Sequence, residues 1–131
     1  METRPTAFRW GAGGLLFTGV AHTGATLASS PASATDAATA EAWRVLSLTP
    51  APSPGVAHTL ADFYQGDALG MGVVILGLGA LGLVVQPDRR VTAIYLATTL
   101  ALLGVSIAWF PAPPIAVLAL SSVAFGAALT R

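Results

Sequence analysis

Residues 60–85 read LADFYQGDALGMGVVILGLGALGLVV, and after Asp67 they hold eighteen consecutive residues without a charge. A helix rises 1.5 Å per residue, so the stretch spans roughly 39 Å, more than the roughly 30 Å hydrocarbon core of a bilayer. It has no alternation of polar and apolar residues, which argues against a membrane barrel strand. We read it as a transmembrane helix that tilts or begins above the membrane. Outward from it, three further apolar stretches fit the same description, at 8–27, 91–109 and 113–129.

Composition agrees. The chain has 131 residues, 54% hydrophobic and 9% charged. A soluble domain carries about a quarter charged residues, so this one lacks polar surface. Formal net charge is zero and no run of basic residues exists, which removes electrostatic support for a nucleic-acid partner. There is no cysteine, hence no disulfide, thiolate metal site or cysteine nucleophile. The expected fold is all-α: an integral membrane, up-down-up-down four-helix bundle in a single domain, with the lipid bilayer as its first partner.

Four spans place Arg4, Arg9, Arg89, Arg90 and Arg131 on one side and Arg44 on the other. Basic residues in short loops favour the cytoplasm, so both termini are expected there, in a cell inner membrane. Arg4 and Arg9, an apolar run and Ala32-Ser33-Ala34 also imitate a cleaved signal peptide. The length of that run and His22 within it favour a retained span. The outer loop, 29–56, is expected to hold a short helix over 36–48 at the membrane interface, anchored by Trp43. Pro50, Pro52 and Pro54 then end it. Pro87-Asp88-Arg89 and Phe110-Pro111-Ala112-Pro113-Pro114 read as tight turns.

Glycines 66, 70 and 77 share one face of the second span, and 72 and 79 another. Lipid supplies no hydrophobic drive between helices, so small residues that let backbones approach are read as packing surfaces. No phosphate-binding glycine pattern is present.

Polar residues collect toward the outer side. His22 lies roughly 20 Å up the first span, with Ser106 and Ser121 near the same level. Asp67 and Trp109 stand higher, and Tyr64, Gln65, Asp62 and His58 higher again. An ionisable group in a span is costly and is a functional candidate by default. His22 is therefore the candidate acid or base, Asp67 its partner, and Tyr64 a donor to a substrate oxygen. Met71, Ser106, Trp109, Asp62 and Gln65 are candidate lining residues for an apolar small molecule undergoing isomerisation, cyclisation or hydration. The bland readings stand beside these. His22 can bond to Thr18 or a neighbouring helix, the aspartates can sit at the positive N-terminus of the second span, and the serines can bond to their own helices. Two histidines also admit bis-His haem or an incomplete metal site, but no His-x-x-x-His occurs, so no cofactor or metal is expected. No serine sits in G-x-S-x-G.

His22, Asp62-Phe63-Tyr64-Gln65-Gly66 and Phe110-Pro111-Ala112-Pro113 together form a pattern. It resembles an uncharacterised family of small bacterial four-helix integral membrane proteins with a first-span histidine, a D-F-Y-x-G segment and a P-x-P turn. The resemblance implies a retained first span and brings no activity with it. The non-catalytic alternative is a helper subunit, packed in a homo-oligomer or a larger membrane complex through its glycine faces. Four spans leave little room for a transporter, and a dry cytoplasmic half disfavours a channel.

Overall fold

The computed structural model describes residues 3–29, 34–52, 57–109 and 112–130, the side chains of residues 3, 4 and 109 excepted. It is all-helical: α1 (Thr3–Ala28), α2 (Ala37–Leu48), α3 (Leu60–Val84), α4 (Arg89–Trp109) and α5 (Ala112–Leu129). Of these, α3, α4 and α5 are long and apolar enough to cross a membrane. Although α1 is as long as α3, Arg4, Arg9, His22 and several threonines dilute its apolar character. The proposed cleavage residues Ala32 and Ser33, the prolyl stretch 53–56 and the Phe110-Pro111 turn lie outside the described residues.

The starts of α2, α3 and α4 are explained by an aspartate or threonine beside each. The orphan N–H groups of a helix's first turn need acceptors. Asp36 caps α2 by accepting from the Thr39 amide at 2.8 Å. Asp88 accepts from the Val91 amide at 2.7 Å and so starts α4. Before α3, Thr59 and Asp62 form a reciprocal box. The Asp62 carboxylate accepts from the Thr59 amide at 2.9 Å, and the Asp62 amide donates to the Thr59 hydroxyl at 3.2 Å. Pro87 follows α3 and cannot extend it.

The Thr39 bonds hold the Asp36 carboxyl below its ordinary value. A depressed carboxyl stabilises the fold above its unfolded pKa and loses that contribution as pH falls through the folded value. Protection of the amides at the start of α2, relative to the unfolded chain, is therefore expected to fall below about pH 4. Asp36→Asn keeps the cap without the titration and should flatten that response. An acid response unchanged in Asp36→Asn would detach it from this cap.

The chain forms two compact units, residues 1–20 with 74–131, and residues 21–73. In the first unit the helices meet at an aromatic triad. Phe8, Tyr95 and Phe125 meet with ring centroids 5.1–5.4 Å apart, one ring from each of α1, α4 and α5. Leu15, Ile75 and Leu118 extend this core. Along α1 and α3, residues 12, 16 and 19 meet 82, 79 and 76, an antiparallel register.

Small hydroxyl side chains share this interior with the aromatic core, and large apolar side chains lie on the exterior. Thr18, Thr92, Thr99, Ser106, Ser121 and Ser122 are buried, while Phe17, Val84, Ile94, Ile107, Leu120 and Val123 are exposed. Burial is possible because the hydroxyls bond within their own helices: Thr92 to the Asp88 carbonyl at 2.7 Å, Thr99 to Tyr95 at 2.7 Å, Ser122 to Leu118 at 2.9 Å. Large apolar side chains on the outside suit lipid better than water.

The glycines divide sharply. A Cβ on Gly19 would strike the Leu76 backbone, one on Gly79 the Leu16 backbone, and one on Gly11 the Phe125 ring. Gly66, Gly70 and Gly77 have open space instead. Of the two glycine lines read as packing surfaces, the one holding Gly72 and Gly79 meets α1, and the one holding Gly66, Gly70 and Gly77 is open. The reason lies in α1, a single helix that can cover only one side. Gly104 of α4 is open as well, on an exposed line with Ala97, Ala101 and Ala108.

Candidate functional site

In the second unit, α2 packs on the beginning of α3 through Trp43. Its ring meets Tyr64 edge-on with centroids 5.9 Å apart. Such a pair contributes roughly 0.5–1.5 kcal/mol beyond its area. Around it, the Pro50–Thr59 bridge and bonds from Ala51 N–H to His58 and from Leu60 N–H to Thr49 close the connection between the helices. Glu41 and Arg44 pair at 2.7 Å on the exposed side of α2, a geometry of little energetic weight in water.

His22 sits half-buried on α1, and its Nε2 donates to the Ala68 carbonyl of α3 at 3.1 Å. A carbonyl only accepts, so Nε2 carries a proton. Gly72 follows Ala68 by one turn. A side chain in a helix leans over the turn N-terminal to it, where it would shield the carbonyl four residues back. Glycine leaves that oxygen uncovered, with a second lone pair free. A Cβ on Gly72 would lie 3.4 Å from His22 Cδ2.

The same device recurs in the first unit. Tyr95 Oη donates to the Leu78 carbonyl at 2.9 Å, and Gly82 stands four residues beyond Leu78. A Cβ on Gly82 would lie 3.1 Å from the Tyr95 ring. Sequence reading passed over this pair, although a glycine one turn after the accepting residue was the available signal. It also passed over Thr59-x-x-Asp62 as a capping box.

The other predicted site residues are distributed as follows. The carboxylate of Asp62 is engaged by Thr59. Tyr64 is 58% exposed and Met71 42% exposed, Gln65 is half-buried, and Asp67 is exposed. Among the described residues Asp67 makes no hydrogen bond or ion pair. Ser106 is buried and belongs to the first unit, and the Trp109 side chain lies outside the described residues. The hydroxyl of Thr18, considered as a partner for His22, bonds to Gly14 at 2.9 Å.

Beside His22, the Thr23 hydroxyl is buried without a partner among the described residues and faces Gly72. An unsatisfied buried hydroxyl costs about 1–3 kcal/mol. Thr23→Ala is therefore expected to leave stability unchanged or raise it by about 1 kcal/mol, read by reversible unfolding in mixed micelles. A loss above about 1 kcal/mol would mean that the hydroxyl has a partner.

Fold and site define a class: a small helical protein with three membrane-capable helices and a histidine clamped to a helix backbone. No protein family, curated protein or solved structure matches this chain.

Proposed function

We propose that the chain is a non-catalytic subunit of a membrane assembly. It would be a four-helix, up-down-up-down bundle in a cell inner membrane, with α1 as the fourth span, α2 at the outer interface and both termini cytoplasmic. The observation that carries the reading is the pair of uncovered small-residue lines, Gly66, Gly70 and Gly77 on α3 and Ala97, Ala101, Gly104 and Ala108 on α4. Such lines admit a helix of another protein at close range, and in lipid close approach is the main source of affinity. The large apolar side chains on the exterior support the membrane setting.

The test is native size. Extracted whole in mild detergent, the tagged chain should migrate with a second polypeptide in fixed ratio. A monodisperse monomer from its native membrane would remove the subunit reading. Topology has its own measurement, helped by the absence of cysteine. A single cysteine at Ala38 should react with an impermeant maleimide in intact cells. Cysteines at Thr6 and Gln86 should react only after permeabilisation. External labelling at Thr6 alone would mean that α1 does not cross.

A second reading keeps proton-transfer chemistry on an apolar small molecule, with His22 as acid or base, Asp67 its partner and Tyr64 a donor. The hold on the His22 ring through Nε2 favours it. The exposure of Asp67 and the Trp43 contact of Tyr64 favour it less. A His22→Gln chain that fully restores the phenotype of a deletion strain would exclude it.

A further inference from the structure

Asp36, Asp62 and Asp88 hold helix starts, and Glu41 holds Arg44. Asp67 alone among the described acids has no such role. It lies seven residues into α3, roughly 10 Å from the helix start, on the uncovered face. A carboxylate in a span is costly when bare and is normally paired inside a bundle. Beside it, Gly66 and Gly70 leave open space, and Gly70 uncovers the Gly66 carbonyl just as Gly72 uncovers that of Ala68. The Ala68 oxygen is taken by a side-chain donor, His22. The patch of Gly66, Asp67 and Gly70 thus presents a carboxylate and a helix carbonyl beside open space, both acceptors.

Resting on the subunit reading, we propose that this patch docks a transmembrane helix of a different protein bearing an arginine or lysine at the level of Asp67. The cation would pair with the carboxylate, and the backbone of that helix would lie against Gly66 and Gly70. Arginine suits it best, because its planar fork satisfies carboxylate and carbonyl together. A second copy of this chain does not supply the cation. It has no lysine, and its arginines stand at 4, 9, 44, 89, 90 and 131, at or beyond the ends of the apolar stretches.

The experiment uses the full chain in phosphatidylcholine vesicles, with a fluorophore on a cysteine at Ala38. Its partner is a labelled polyleucine helix of about 23 residues carrying arginine or leucine at the depth of Asp67. Energy transfer should show the arginine helix binding about tenfold more tightly. Asp67→Asn should abolish that preference, Gly70→Leu should block binding, and Gly104→Leu on α4 should leave both unchanged. Equal binding of the two helices, or a preference that survives Asp67→Asn, overturns the proposal. Transfer between copies of the chain that disappears in Asp67→Asn also overturns it, assigning the patch to self-association. The native assembly separates the two readings. Assemblies that persist in Asp67→Asn leave the subunit reading standing while this proposal falls, and an unassembled wild-type chain removes the subunit reading itself.

Discussion

Gly19→Ala is expected to lower stability by about 3 kcal/mol, at the upper end of what overpacking a filled interior costs. The added Cβ would lie 2.5 Å from the Leu76 nitrogen and 2.6 Å from its Cα. Both are backbone atoms, so no rotamer change relieves the contact, and α1 must move away from α3. Separation then weakens the neighbouring steps at Gly79 and Gly82 as well. The control lies on the other face of α3. Gly77 has nothing within reach of a Cβ, so Gly77→Ala should be neutral or should stabilise by about 0.5–1 kcal/mol through reduced backbone freedom. Both values can be read from reversible unfolding of the whole chain in mixed micelles. Equal responses from the two variants would remove close approach as what holds α1 to α3.

The second large effect centres on the aromatic triad. Gly11 lies beneath the Phe125 ring, and a Cβ there would come within 2.7 Å of two ring carbons. A flexible side chain would turn aside. Phe125 is fully buried and flanked by Phe8 at 5.2 Å and Tyr95 at 5.4 Å, so it has nowhere to turn. Gly11→Ala should therefore cost about 2 kcal/mol. Phe125→Ala should cost about 2–3 kcal/mol, less than in a water-soluble core. In micelle or lipid the unfolded ring stays in an apolar medium, so lost packing rather than transfer dominates. The double variant should cost at least about 1 kcal/mol less than the two singles together, because the methyl of alanine at 11 enters space vacated by the ring. Strict additivity would show that the ring does not rest on Gly11.

How much of this could be read in the chain differs by level. The apolar stretches predicted at 60–85, 91–109 and 113–129 lie within two residues of α3, α4 and α5, because length and lack of charge are properties of the stretch itself. The short helix predicted over 36–48 appears as α2 with Asp36 as its cap, since capping is likewise local. Which glycines meet a neighbour was not legible. Positions 66, 70 and 77 have the same helical spacing as 72 and 79, and only the path of α1 distinguishes them. The triad of Phe8, Tyr95 and Phe125 joins residues far apart in sequence, and no local pattern announces it. Among the site residues, His22 was legible as a costly polar group. The oxygen it would find was not, because backbone carbonyls have no letter in a sequence.

The two donors that bind α3 reach main-chain oxygens, and every residue at 68 or 78 carries the same oxygen. Ala68 and Leu78 should then accept exchange for other apolar residues of similar size with the His22 and Tyr95 attachments retained. Positions 72 and 82, which form neither bond, should tolerate hardly any exchange, since an added Cβ would strike the Thr23 hydroxyl at 72 and the Ala12 methyl at 82. A saturation screen of this helix would thus place its strictest demands one turn away from the atoms that bond, and on residues with no side chain to offer.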